Sequence, residues 1–286
     1  MPTRRDLLRL SALAAAAGCA LRFPTAAFAA SNTHLQYGVQ LYTVRKEAQA
    51  DLPNLLHALR QIGFTQIELH PLAFTQPAAT LRQMVTDAGL NVPATHMSAK
   101  DLDTRIDFAK QLGVQYVVTG LPGPPTTLDD YRAVAARFNH WGAAVRDQGM
   151  EFAHYFHGHV FLPQQDSTGF HELIRNTDPN LVKLEVDIYW LVQAGQDPAA
   201  FLRPHRDRVR LLHIKDRLAN APTSFADDTT ADHFTEVGSG TIPWPTLLKQ
   251  ARDQDIKYVF IDEDKTEIPV LESLRQSFTY LQTLKL

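Results

Sequence analysis

Eight short apolar runs alternate with amphipathic segments along most of this chain, and this alternation limits the possible folds. The runs lie at 37–41, 66–69, 92–95, 114–118, 151–155, 182–186, 209–212 and 258–261. Strands that alternate with helices indicate a parallel sheet, and eight such units can close into a barrel. We therefore predict an α/β protein with a single (β/α)8 TIM barrel. An open doubly wound sheet would need a glycine-rich phosphate turn after an early strand, and the sequence has none.

The segments between the runs have helical periodicity. Residues 52–62 are apolar at positions 52, 55, 56, 59 and 62, and the segments 81–88, 102–112 and 131–145 behave similarly. A glycine stands just after each of these segments and just before the next apolar run: Gly63, Gly89, Gly113 and Gly149. We expect these glycines to end the helices in the left-handed conformation.

The first thirty residues have the features of an export signal. Arg4 and Arg5 form a twin-arginine pattern, an apolar stretch follows at 10–21, and Ala27-Phe28-Ala29 offers a cleavage site. The apolar stretch is short for a membrane span of roughly 20 residues. We predict a signal peptide at 1–30, a barrel at 31–286 and a periplasmic location without stable membrane association. A lipoprotein anchor at Cys19 is the alternative.

Composition narrows the chemistry of the mature protein. Cys19 is the only cysteine and lies in the signal, so the mature chain has no disulfide, thiol nucleophile or cysteine-based zinc site. Removing four arginines and one aspartate with the signal changes the net charge from −3 to −6. Without a basic block, the chain is not expected to bind nucleic acid. The sequence does not determine the oligomeric state.

Polar side chains follow most of the apolar runs. The sixth run leads into Asp187, and the seventh leads into His213, with Lys215 two residues later. Further groups at run ends are Glu68, His70, His96, His157, His159 and Asp262 to Asp264. Singly, each would be read as a helix cap or a satisfied polar residue. Because the carboxyl ends of barrel strands converge, together they predict an active site at that end.

Four of these residues are expected to share one face and to bind a metal: His157, Asp187, His213 and Asp262. Imidazole and carboxylate ligands suit Mn, Zn, Co or Mg. The long irregular segment 217–245, between the last two runs, is predicted to lie over this site.

Several of the sequence pieces resemble the xylose isomerase-like TIM-barrel superfamily, the sugar phosphate isomerase/epimerase family. The resemblance spans the mature chain, and the matching pieces are 38–45, 156–159, 176–179, 187–190, 213–216 and 236–240. It implies a divalent metal held at the ends of strands five to eight, which by position are again His157, Asp187, His213 and Asp262. Relatives often have Glu where His157 and Asp262 stand, and in the epimerases those glutamates also transfer protons.

The resemblance favours an exported, metal-dependent sugar isomerase, epimerase or dehydratase that acts on a small-molecule sugar. Such an enzyme abstracts a proton next to a metal-polarised carbonyl. His159 and His96 are the candidate acid/base groups, with Glu68 and Glu236 as runners-up, and Lys215 would stabilise oxyanion charge. The alternative is a non-catalytic periplasmic sugar-binding barrel whose altered ligand set no longer holds metal.

Overall fold

The computed structural model describes residues 34–123, 125–229 and 233–286. The predicted signal peptide and Cys19 lie outside this part of the chain. Eight parallel strands close into a barrel in the order β1-β8-β7-β6-β5-β4-β3-β2. The barrel strands are β1 (Gln36–Gln40), β2 (Gln66–Leu69), β3 (Asn91–His96), β4 (Tyr116–Thr119), β5 (Glu151–Phe156), β6 (Val182–Asp187), β7 (Val209–Ile214) and β8 (Tyr258–Ile261). The predicted (β/α)8 barrel is confirmed, and each strand overlaps one of the eight apolar runs.

Helices surround the barrel. They are α1 (Arg45–Ile62), α2 (Ala78–Asp87), α3 (Ala99–Thr104), α4 (Ile106–Leu112), α5 (Leu128–Asp147), α6 (Gly169–Asn176), α7 (Ile188–Gln193), α8 (Pro198–Leu202), α9 (Trp244–Asp253) and α10 (Val270–Thr283). All four glycines expected to follow helices have positive φ angles, between 74° and 123°. Helix α1 begins earlier than its apolar stripe because a first turn precedes a kink at Asp51, where φ is −159°.

A small apolar cluster fills the bottom of the barrel interior. It consists of Ala94, Val118, Ala153, Leu211, Tyr258 and Phe260. Side chains two residues apart on a strand face the same side, so the next inward positions after this cluster lie one layer closer to the barrel mouth. Those positions are His96 on β3, Tyr155 on β5 and His213 on β7. The apolar cluster is therefore the floor beneath the polar side chains of the barrel.

The His154 side chain on β5 points out of the barrel, towards helix α5. Its ring packs 4.5 Å from that of Phe138 on α5, and its Nδ1 lies 3.3 Å from the Thr119 carbonyl oxygen. Burial lowers the pKa of His154 to about 3. The folded protein therefore keeps this imidazole neutral over a pH range in which an unfolded chain, with a histidine pKa near 6.5, takes up a proton.

Replacing His154 with leucine is expected to make the stability less dependent on pH. Because the folded pKa is below the unfolded value, stability present above pH 6.5 is lost as the pH falls towards 3. Each pH unit costs about 1.4 kcal/mol, so His154 should account for about 2 kcal/mol of the loss between pH 6.5 and pH 5. Urea unfolding at both pH values measures the difference. His57→Leu, at an exposed position of α1, is the control and should retain the wild-type loss.

None of the helices in the described ranges is long and apolar enough to cross a membrane.

Candidate active site

Two glutamates and two histidines meet just above the apolar floor, and we call them the Glu/His cluster: Glu68, His96, Glu185 and His213. Nε2 of His213 lies 2.7 Å from Oε2 of Glu68 and 3.3 Å from Oε2 of Glu185. Nε2 of His96 lies 2.7 Å from Oε2 of Glu185 and 3.4 Å from Oε2 of Glu68. The two imidazoles stack with their centroids 5.6 Å apart, so both rings face the same pair of carboxylates.

These carboxylates control the charge of the imidazoles. Burial alone would lower the pKa of His96, but the charges of Glu68 and Glu185 raise it to about 9. Burial would also lower the pKa of His213, but the neighbouring carboxylate charges raise it well above its usual value. Both glutamate side chains are fully buried. The two glutamates thus favour the protonated form of both imidazoles.

A second group lies one layer nearer the mouth, and we call it the Asp/Lys cluster: Asp187, Lys215, Asp262 and Asp264. Nζ of Lys215 donates to Oδ2 of Asp187 at 2.6 Å and to Oδ2 of Asp262 at 3.0 Å. It also lies 3.1 Å from Oδ2 of Asp264. Burial would lower the pKa of Lys215, but the three carboxylates raise it well above its usual value. This lysine is therefore a buried ammonium surrounded by carboxylates.

His213 links the Glu/His cluster to the Asp/Lys cluster, because its Nδ1 lies 3.2 Å from Oδ2 of Asp262. Asp187, His213 and Asp262 place ligand atoms within 4.8 Å of one another, as do the four residues of the Glu/His cluster. Buried carboxylate oxygens without a hydrogen-bond partner in the described chain occur in both groups: Oε1 of Glu68, Oε1 of Glu185 and Oδ1 of Asp262. Both donor sets therefore fit a divalent cation in residue type and spacing.

The structure brings three of the four predicted metal ligands together and leaves His157 outside that group. Nε2 of His157 lies 2.8 Å from the Tyr155 hydroxyl, and its ring stacks on Trp190 at 4.6 Å. On its other side, Nδ1 lies 3.5 Å from Oδ1 of Asp227. The chain turns into a 3-10 helix at Gly158–Phe161, so the extended geometry assumed from the sequence ends at His157.

Asp227 links the segment 217–245 to the end of β5. Its Oδ2 lies 2.6 Å from Nδ1 of His159, an ion-pair contact that is not aligned as a hydrogen bond. Burial would raise the pKa of Asp227, but the neighbouring imidazoles of His157 and His159 lower it well below its usual value. Asp227 and Thr229 therefore bring the described part of the segment 217–245 to the barrel mouth.

Two cavities open above these clusters. The first, of about 170 Å³, is lined by Gln40, Tyr42, His70, His96, Tyr155, His157, His213, Thr229, Asp262 and Asp264. The second, of about 520 Å³, has the apolar walls Leu121, Pro125, Tyr131, Phe156 and Leu162, with His159 and Asp227 among its polar lining. Tyr155 and His157 line both. The second cavity falls in the size range of small-molecule sites.

The five predicted catalytic residues occupy different positions. His96 faces the smaller cavity, while Glu68 lies behind it in the Glu/His cluster. His159 lines the larger cavity, and Lys215 lies buried in the Asp/Lys cluster. Glu236 is half-buried, with its Oε2 accepting from the Thr235 hydroxyl, and it is not among the residues that line either cavity.

Three residues of the site were not selected from the sequence: Glu185, Tyr155 and Asp227. Glu185 lies inside an apolar run, but it stands two residues before Asp187 and so shares its inward face. That spacing was the available signal. Asp227 had none, since its contact depends on the path of a long loop.

The fold and the site define a (β/α)8 barrel with buried carboxylate and imidazole groups at the carboxyl ends of its strands. The chain belongs to the xylose isomerase-like TIM barrel family, which it matches over residues 56–284.

Individual relatives are more distant. An inosose dehydratase from Clostridium botulinum is 28% identical over 128 residues, which is 42% of this chain and 42% of that protein. The match therefore spans less than half the length of that relative. A sugar phosphate isomerase/epimerase structure from Parabacteroides distasonis superposes with a TM-score of 0.73 at 23% identity, over 88% of this chain and 97% of the other. The IOLI protein, solved with zinc, gives 0.67 at 14% identity, over 87% and 97%.

Proposed function

We propose that this protein is an exported, divalent-metal-dependent enzyme that abstracts a proton next to the carbonyl of a sugar or cyclic polyol ketone. The reaction class is isomerisation, epimerisation or dehydration. The observation that carries the proposal is the shared position of His213 in two potential ligand groups directly below a cavity. Export rests on the twin-arginine pattern of the first thirty residues.

A metal would be held through His213 together with carboxylates of the barrel interior, with Mn, Zn, Co and Mg as candidates. The zinc found in the IOLI protein, which shares the fold, is consistent with this choice. When bound, the metal would polarise the substrate carbonyl and make the neighbouring C–H bond more acidic.

We assign proton transfer to His159. Nδ1 of His159 lies 2.6 Å from Oδ2 of Asp227, so in the neutral imidazole Nδ1 carries the hydrogen beside this carboxylate and Nε2 carries the lone pair that accepts a proton. The C–H bond next to the carbonyl breaks and its proton passes to this imidazole. Return of the proton to carbon gives an epimer or an isomer. Alternatively, the hydroxyl one carbon further leaves with that proton as water, which is the reaction of a dehydratase. His96 and Glu236 remain the other acid/base candidates.

The substrate is proposed to be unphosphorylated. Lys215 is committed to three carboxylates. Arg45 donates to the carbonyl oxygens of Tyr42 and Asp264 and lies over the Tyr42 ring. Lys215 and Arg45 are therefore engaged with protein groups rather than with a phosphate site. A neutral ketose or inosose, the latter suggested by the relative's name, fits this environment.

Proton exchange in heavy water tests the proposal. The purified protein is incubated with Mn²⁺, Zn²⁺, Co²⁺ or Mg²⁺ and with inososes or ketohexoses, and the products are followed by NMR. We expect deuterium at one carbon next to the carbonyl, or loss of water, and we expect a chelator to abolish both. Sugar binding without exchange under any metal would contradict the enzyme and support the non-catalytic sugar-binding barrel.

A further inference from the structure

We propose that the divalent metal binds in the Glu/His cluster, at Glu68, His96, Glu185 and His213, and that the Lys215 ammonium replaces a metal among the three aspartates. This assignment rests on the proposed metal dependence, and it moves the metal one layer deeper than the set His157, Asp187, His213 and Asp262. It makes Glu185 a ligand and Lys215 a positioning residue.

Both carboxylate oxygens of Asp187 are already engaged, whereas Oδ1 of Asp262 is buried without a hydrogen-bond partner in the described ranges. Oδ2 of Asp187 accepts from Nζ of Lys215 at 2.6 Å and from the Tyr155 hydroxyl at 3.1 Å. Its Oδ1 accepts from the backbone N–H of Trp190 and thereby caps α7. A metal at Asp187 would have to displace a buried ammonium and break a helix cap. Both changes oppose binding there, because each leaves a buried polar group without its partner.

The Glu/His cluster has an unpaired oxygen on each of its two carboxylates, and none of its partners is a lysine ammonium. Its ion-pair partners are imidazoles, which are neutral donors when they bind a metal. Oε1 of Glu68 and Oε1 of Glu185 are buried without a hydrogen-bond partner in the described ranges, on side chains that are 0% exposed. Two unsatisfied carboxylate oxygens beside two imidazole nitrogens form a donor set typical of Zn, Mn or Co.

The surroundings of the cluster suit a metal centre that meets a substrate. Nδ1 of His213 faces Oδ2 of Asp262 at 3.2 Å, which leaves Nε2 directed towards the glutamates. A carboxylate behind a histidine is the common way to orient an imidazole towards a metal. Lys215 holds that carboxylate in place through its 3.0 Å hydrogen bond. His96 and His213 also line the 170 Å³ cavity, so a metal between them would have a side open to substrate.

Cobalt binding distinguishes the two sites. The metal-depleted protein is titrated with Co²⁺, and the visible absorption of the ion and the bound stoichiometry are measured. Wild type should bind one Co²⁺ per chain. Glu185→Gln should weaken this binding at least about 100-fold, because it removes a ligand and not merely an outer partner. Asp187→Asn is the matched variant on the same strand and should change the affinity by less than about tenfold.

If Asp187→Asn abolishes Co²⁺ binding and Glu185→Gln does not, the metal sits among the aspartates, and the inference is wrong while the proposed metal dependence stands. If wild type takes up no Co²⁺ at the site, both fail. Far-UV circular dichroism checks that each variant is folded. Asp264→Asn, which also contacts Lys215 but lies outside both ligand groups, provides a second folded test of the aspartate side and should retain binding.

Discussion

Lys215→Met is expected to reduce the free energy of unfolding by about 3–5 kcal/mol, since it removes the cation from a buried charge cluster. Lys215 is fully buried and contacts Asp187, Asp262 and Asp264 within 3.1 Å. Its charge, together with that of His213, outweighs burial and holds the pKa of Asp262 well below its usual value. Without the ammonium, three neighbouring carboxyl groups remain buried together, and their repulsion destabilises the folded state. Urea unfolding at neutral pH measures the loss.

Lys249→Met is the matched control for this measurement. Lys249 pairs with Asp253 on the exposed face of α9, and such a pair contributes less than about 1 kcal/mol. Combining Lys215→Met with Asp264→Asn should recover part of the lost stability, because it removes one of the uncompensated charges. If Lys215→Met cost no more than Lys249→Met, the ammonium would not be the counter-ion that keeps this cluster folded.

His213→Asn is expected to lower kcat/KM at least about 1,000-fold, equivalent to about 4 kcal/mol of transition-state stabilisation. His213 is the residue common to both potential ligand groups, so either placement of the metal loses a nitrogen donor. Metal content should fall together with activity. Both are measured on the same purified sample, by elemental analysis and by the rate of deuterium exchange into the keto-sugar that wild type accepts.

The control for His213→Asn is His57→Asn, at an exposed position within α1. It should leave metal content and exchange rate unchanged. Retention of full metal content by His213→Asn would place the metal outside both groups. Loss of activity with metal content unchanged would make His213 a proton-transfer or orienting residue instead.

The site contains carboxylate and imidazole groups, as the family resemblance implied. The residues that carry these groups differ from those the resemblance implied. The resemblance implied glutamates at two positions where this chain has His157 and Asp262. In the structure, His157 contacts Tyr155, Trp190 and Asp227, whereas Asp262 contacts Lys215 and His213. A glutamate from β6, Glu185, supplies a carboxylate at the centre of the barrel. The barrel interior therefore contains carboxylate and imidazole groups in the Glu/His cluster, below the positions that the resemblance implied.

The sequence alone predicted the eight strands and the end of the barrel at which the polar groups gather. Both depend on local patterns: apolar runs of strand length, glycines after helices, and polar residues where a run ends. Asp262 and Asp264, which are two residues apart after β8, both lie within 3.1 Å of Nζ of Lys215.

The tertiary structure decided which of these groups touch. Glu68 and His213 are 145 positions apart in the chain and 2.7 Å apart in space, and Asp227 reaches His159 from a loop whose path no local pattern specifies. The contacts of Lys215 also depend on the tertiary structure. A lysine two residues after a strand histidine is equally compatible with a substrate contact or a buried ion pair. Only closure of the barrel, which places β6 and β8 on either side of β7, surrounds it with carboxylates.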